Sequence, residues 1–174
     1  GLGSNNTAAL VHEFKHVDTT GFDAILSVTP YYNRPTQEGL YHHYMALDAV
    51  TPLPLILYNV PGRTGVNITA ATTLRIAKDA QQIIGVKDAS GDLKQGEEII
   101  SKAPKNFLVF SGDDETAISL TLLGGAGVIS VAAGGFPKTF SAGIKAAIAK
   151  NTEKANQIIN QLLPVIELLF KEGN

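Results

Sequence analysis

Five short apolar runs recur along this chain, and they restrict its fold more than any other feature. They are AILSVT (24–29), PLILYNV (54–60), IIGVK (83–87), FLVFS (107–111) and GVISV (127–131). Their starts lie about 20 to 30 residues apart, the length of one strand-plus-helix unit. None alternates polar and apolar residues, which is how strands buried on both faces of a parallel sheet read. Amphipathic segments fill the gaps at roughly 38–50, 68–78, 92–103, 114–123 and 138–150, and a longer one at about 152–171 closes the chain. No Pro/Gly-rich linker interrupts the alternation, so one α/β domain is expected. Two architectures fit, an open doubly wound sheet and a (β/α)8 barrel. A barrel needs eight strands and about 250 residues; this chain of 174 residues supplies five strand candidates.

Composition removes several classes of function. With 44% hydrophobic and 17% charged residues, the chain is globular. A net charge of -2 without a basic block offers nothing to a phosphate backbone, so no nucleic-acid partner is expected. The absence of Cys excludes disulfides and thiolate metal sites. No run of about 18 apolar residues exists to span a membrane, and the N-terminus lacks the pattern of a secretion signal. A cytoplasmic protein is the expectation. The chain starts at Gly1, its only Met is Met45, and GLGSNNT reads like the end of a strand followed by a helix cap. A fragment of a longer chain is expected.

The polar and Gly-rich clusters follow the strands: PYYNRP, YNVPGRTG, KDASGD and SGDDE. In α/β folds the loops at the carboxyl ends of strands build the active site. Lys87 ends an apolar run, where partial desolvation would lower its pKa and free its amine as a nucleophile. The plainer reading is a structural Lys paired with Asp88 or Asp92. Tyr58 ends the preceding run, and strand neighbours place such residues side by side, so its phenol could move protons for the amine. Arg63, beside the Pro61-Gly62 turn, offers a forked donor to a carboxylate. Tyr31 and Tyr32 crowd the turn Asn33-Arg34-Pro35. The set reads as imine chemistry on an oxo-acid.

Other motifs point elsewhere. His12-Glu13-x-x-His16 has the spelling of a zinc metalloprotease helix. Leu10, Val11, Phe14 and Val17 form its apolar stripe, with the two His opposite, so an ordinary surface helix capped by Asn6 or Thr7 explains it. A third ligand is not evident, and the adjacent His42 and His43 point apart on a helix. No metal is expected. Asp113, Asp114 and Glu115 could hold a hard cation, but they also suit the positive end of a helix.

The strings GSNNT (3–7), TPYYNRPTQEGLYHHY (29–44), LILYNVPGRTG (55–65), IIGVKDASGD (83–92), FSGDD (110–114) and GAGVISV (125–131) together resemble the dihydrodipicolinate synthase (4-hydroxy-tetrahydrodipicolinate synthase) family. This family belongs to the pyruvate-dependent class I aldolases. The resemblance runs through essentially the whole chain in family order. It implies a (β/α)8 TIM barrel, here a partial barrel over 1–150 (about strands 4 to 8) and the start of a C-terminal helical region over 151–174. It implies a lyase of lysine and diaminopimelate biosynthesis that condenses pyruvate with L-aspartate 4-semialdehyde and needs no cofactor. Lys87 would form the Schiff base, Tyr58 would relay protons, and Tyr32 would reach into the neighbouring subunit of a homotetramer. Arg63 would bind the aldehyde's carboxylate, with Gly112 and the Ile129 carbonyl lining the site. Tyr31 and Asn5 match positions that line a feedback site. Ala9 departs from the acidic residue of lysine-sensitive members, and Gly134 from the usual Asn. The first three strands, with a Thr-Thr pair of the relay, are not in this chain, so it is not expected to be competent alone. N-acetylneuraminate lyases and 2-keto-3-deoxy sugar acid aldolases share the imine chemistry but generally lack the PGRTG arginine. A non-catalytic barrel would have no need of Lys87, Tyr58 and Tyr32 together.

Overall fold

The computed structural model describes residues 1–173. Five parallel strands, β1 (Ile25–Val28), β2 (Leu55–Asn59), β3 (Ile83–Asp88), β4 (Leu108–Ser111) and β5 (Gly127–Val128), pair strictly in chain order. A doubly wound sheet reverses its strand order at a switch point. This sheet never does, and successive strands always add to the same edge. The helices α1 (Thr7–Phe14), α2 (Gln37–Asp48), α4 (Ala70–Asp79), α5 (Leu93–Lys102), α6 (Ala117–Leu123) and α7 (Pro137–Ile148) pack each against the next, and α8 (Thr152–Phe170) lies on α7 and α6. The four-residue α3 (Pro61–Thr64) follows β2.

Local chemistry sets the helix starts. Asn6, Thr36, Thr69, Asp92 and Asn151 each accept a hydrogen bond from a backbone N–H of the first turn. Such caps satisfy donors that have no partner inside the helix.

The strands bury one face against the helices. Leu55 and Leu57 are fully buried there, and Ile25, Val86 and Val109 nearly so, packed with Leu40, Leu47, Ile76 and Ile99 of the helix layer. Each such side chain contributes roughly 1.5–3 kcal/mol of apolar burial. A second cluster joins Phe140, Ile144 and Ala147 of α7 to Ala155, Ile159 and Leu162 of α8.

The expectation of two covered faces needs correction. Leu26, Val28, Ile56, Tyr58, Ile84, Lys87 and Phe110 project from the other face and are only half-buried. Among the described residues no helix layer covers them. The apolar runs are therefore two-faced in sequence while a single face is packed. At the free edge of β1, the Leu2 N–H donates to the Leu26 carbonyl, so residues beside Gly1 lie along the sheet as a strand would.

β5 is also shorter than GVISV suggested. It ends at Val128, and Ile129 to Val131 form a loop leading to a 3-10 turn at Ala132–Gly134. α1 ends at Phe14, so His16 lies beyond the helix. The His12 and His16 rings stack at 4.3 Å, and His16 Nδ1 contacts the His12 carbonyl at 2.7 Å. Leu10 and Phe14 enter the core from the opposite side of this segment.

Candidate active site

Tyr58 and Lys87 are register partners near the ends of β2 and β3. Partners in neighbouring parallel strands point the same way, about 4.8 Å apart. Both side chains therefore rise from the half-buried face, and Lys87 Nζ lies 4.1 Å from the centre of the Tyr58 ring. Among the described residues Lys87 has no ion pair. The paired-lysine reading fails for a specific reason. Asp88 turns to the other face, where it accepts from Asn59, Gln95 and the Ser90 N–H, and Asp92 caps α5.

Burial lowers the Lys87 pKa, and the charge of Asp114 acts weakly in the opposite direction. Desolvation penalises the ammonium more than the neutral amine. Burial raises the Tyr58 pKa, with nearby Arg63 pulling it down. Tyr58 and Arg63 share an open cleft of about 400 Å³ with Leu26, Val28, Tyr31 and Val60. Arg63 stands exposed on α3, which starts at Pro61 and is stopped by Gly65 at φ 76°. Lys87 does not form the wall of this cleft; it adjoins it through the Tyr58 ring.

Gly112 follows β4, and its N–H donates to the Asp88 carbonyl at 2.7 Å. A Cβ there would come within 2.8 Å of Lys87 Cε and 2.7 Å of Ala89 Cβ. The residue must be Gly for the lysine stem to pass. The Ile129 N–H donates to the Ser111 carbonyl, which places the loop after β5 beside Gly112.

Tyr32 is 89% exposed at φ 72°, with its N–H on the Thr64 carbonyl. It faces solvent. Asn5 Nδ2 donates to the Tyr31 carbonyl at 3.1 Å, so those two residues do meet. Asp113 caps the turn before α6 by accepting from Thr116, as a helix-start role requires. Asp114 does something the sequence did not indicate. It is buried, and its Oδ2 accepts from the Val131 and Ala132 N–H groups, tying the loop after β4 to the loop after β5. Among the described residues no group of three or more His, Asp or Glu side chains is arranged to hold a metal, and no helix is long and apolar enough to cross a membrane.

Fold and site together define an α/β protein whose sheet carries an unpaired, desolvated lysine beside a tyrosine at the carboxyl ends of adjacent strands. Residues 1–174 match the model of the dihydrodipicolinate synthetase family. The chain belongs to that family. It is 45% identical over its whole length to a 4-hydroxy-tetrahydrodipicolinate synthase of Flavobacterium psychrophilum, of which it covers 59%. Among solved structures it is similar to the chloride-inhibited dihydrodipicolinate synthase of Acinetobacter baumannii complexed with pyruvate (46% identity, TM-score 0.92, 98% of this chain and 58% of that one). It is also similar to a monomeric dihydrodipicolinate synthase variant (40% identity, TM-score 0.95, 100% and 59%). The chain thus spans about three fifths of the length of the relatives it matches.

Proposed function

We propose that the full-length protein carrying this chain is a 4-hydroxy-tetrahydrodipicolinate synthase, condensing pyruvate with L-aspartate 4-semialdehyde through a Schiff base on Lys87. In this reading residues 1–150 are about strands 4 to 8 of a (β/α)8 barrel, and 151–174 open a helical region beyond it. The strictly sequential strand order and the lone uncovered face support the barrel. The observation that carries the chemistry is Lys87, unpaired and half-buried with its amine 4.1 Å from the Tyr58 ring.

The neutral Lys87 amine adds to the pyruvate ketone, and loss of water leaves an imine. The imine nitrogen takes up electrons as a methyl proton leaves, giving an enamine. The enamine carbon attacks the aldehyde. The amino group of the semialdehyde then adds to the imine carbon, closing the ring and expelling the lysine. Tyr58 moves protons in these steps. Arg63, in the same cleft, holds the semialdehyde carboxylate as a forked donor. Gly112 and the Ile129 carbonyl line the pyruvate side. The imine is itself the electron sink, so no cofactor takes part. Arg63 favours an anionic aldehyde over a sugar aldehyde.

The exposure of Tyr32 supports its reaching into a neighbouring subunit, within a homotetramer. Tyr31 and Asn5, joined by a hydrogen bond, form part of an allosteric surface there. Borohydride trapping of the full-length protein with pyruvate, followed by peptide mapping, tests the reading. An adduct on Lys87 is expected. A folded protein without one would overturn it.

A further inference from the structure

One residue past the Tyr58–Lys87 pair, the same two strands carry a second register pair, Asn59 and Asp88. Successive strand residues face opposite ways, so this pair lies on the helix side, and both residues are buried. Asn59 Nδ2 donates to Asp88 Oδ1 at 3.0 Å and to Asn67 Oδ1 at 2.7 Å, while Asn59 Oδ1 accepts from the Ile68 N–H at 3.1 Å. Asp88 Oδ2 accepts from Gln95 Nε2 at 3.1 Å, and Asn67 Nδ2 donates to Gln95 Oε1 at 2.9 Å, which closes the ring.

The ring has a direction. An ionised carboxylate only accepts, so Asn59 and Gln95 must both turn their NH₂ groups toward Asp88. The Ile68 N–H fixes the other end of Asn59. No amide in the ring can flip without setting donor against donor. Asn59 and Asp88 are buried and Asn67 and Gln95 partly so, and a satisfied network of this kind resists rearrangement.

We propose that Asn59 and Asp88 are a positioning pair. Their bond on the helix side fixes the ends of β2 and β3 against each other and so sets the spacing of Tyr58 and Lys87 on the opposite face. The inference rests on the imine reading above. Catalytic geometry is sensitive to displacements of this size, since about 1 Å of misplacement costs on the order of 100-fold.

The test uses the full-length protein and the rate of borohydride-trappable imine formation. Asp88→Asn keeps the shape but puts an NH₂ where the ring needs an acceptor. We expect the trapping rate at saturating pyruvate to fall about tenfold or more, with the pyruvate KM within about twofold of wild type. Asn67→Ala removes an outer member of the ring and leaves the Asn59–Asp88 bond. It should lower Tm and leave the trapping rate within about twofold. Should Asp88→Asn not fold, Asn59→Ser serves instead, because its side chain is too short to reach Asp88; the same loss of rate at retained KM is expected. A wild-type trapping rate in the variant that folds overturns the proposal. So does a fall in rate that merely tracks Tm across Asp88→Asn and Asn67→Ala. A wild-type protein that traps no pyruvate removes the functional reading and this inference together, whereas a trapping wild type with an unaffected variant removes the inference alone.

Discussion

The two faces of one sheet are built to different rules. On the helix side, Leu55, Leu57, Asn59 and Asp88 are buried, the apolar ones in a packed core and the polar ones in a closed ring of hydrogen bonds. On the other side, Leu26, Val28, Ile56, Tyr58 and Lys87 are half-buried, and among the described residues Lys87 has no ion-pair partner. Alternation along the strand lets neighbours in sequence serve opposite ends. One side stabilises the chain, and the other carries a half-buried lysine amine. A lysine held by a carboxylate would remain protonated, so the divergence of Lys87 and Asp88 is what leaves the amine available.

Five changes would sharpen or break that contrast, all in the full-length protein. Lys87→Ala should abolish pyruvate trapping, a loss of at least about 1,000-fold in turnover, because no other group supplies the imine nitrogen. Its thermal midpoint should change little, and a large destabilisation would contradict the division between faces. Leu57→Ala should do the reverse, costing about 3 kcal/mol of stability in chemical denaturation from the cavity it leaves. Tyr58→Phe should lower kcat about 100-fold, the scale of one lost general acid–base group. A wild-type kcat would remove the proton relay.

The fourth change concerns pH. His43 is buried between α1 and α2 on a 2.8 Å contact with Thr7, and burial lowers its pKa from 6.5 to about 4. The unfolded chain therefore takes up this proton first as pH falls. Stability should drop through the window from 6.5 toward 4, by about 2 kcal/mol between pH 7 and 5. His43→Gln should flatten that slope in urea titrations at the two pH values. An unchanged slope would assign the pH dependence to other groups.

The smallest effect is expected from Gly112→Ala. Its methyl group would meet the Lys87 stem, so trapping should slow about tenfold, the cost of a modest displacement from attack geometry. Stability should fall by about 1 kcal/mol, because the same methyl also presses on Ala89 Cβ. Wild-type trapping would show that Lys87 has room the present packing denies.

Much of this was legible in the chain. Four of the five apolar runs became strands within a residue or two of their expected limits, because such runs have few other ways to be buried. GVISV failed as a full strand. Asp114 captures the Val131 and Ala132 N–H groups, which draws the chain after Val128 into the loop before the 3-10 turn. α3 was not foreseen, since four residues between Pro61 and Gly65 are too few for periodicity to register. Lys87, Tyr58 and Arg63 were visible as polar residues ending or following apolar runs. Asp88 entered only as a possible ion-pair partner of Lys87, and Asn59 carried no assigned role. A polar residue next to a candidate catalytic one is the signal that could have found them.

The sequence by itself determined the alternation of strands and helices, the helix caps, and which residue types stand at strand ends. Those are local properties, set by backbone preference and by the spacing of apolar side chains. The tertiary structure alone decided which neighbours meet. Register put Tyr58 beside Lys87 and Asn59 beside Asp88, sent the lysine and its adjacent carboxylate to opposite faces, and turned Asp114 from a helix-start charge into a tie between loops. Pairings across some 30 residues of chain depend on how whole strands align, and no local pattern encodes that alignment.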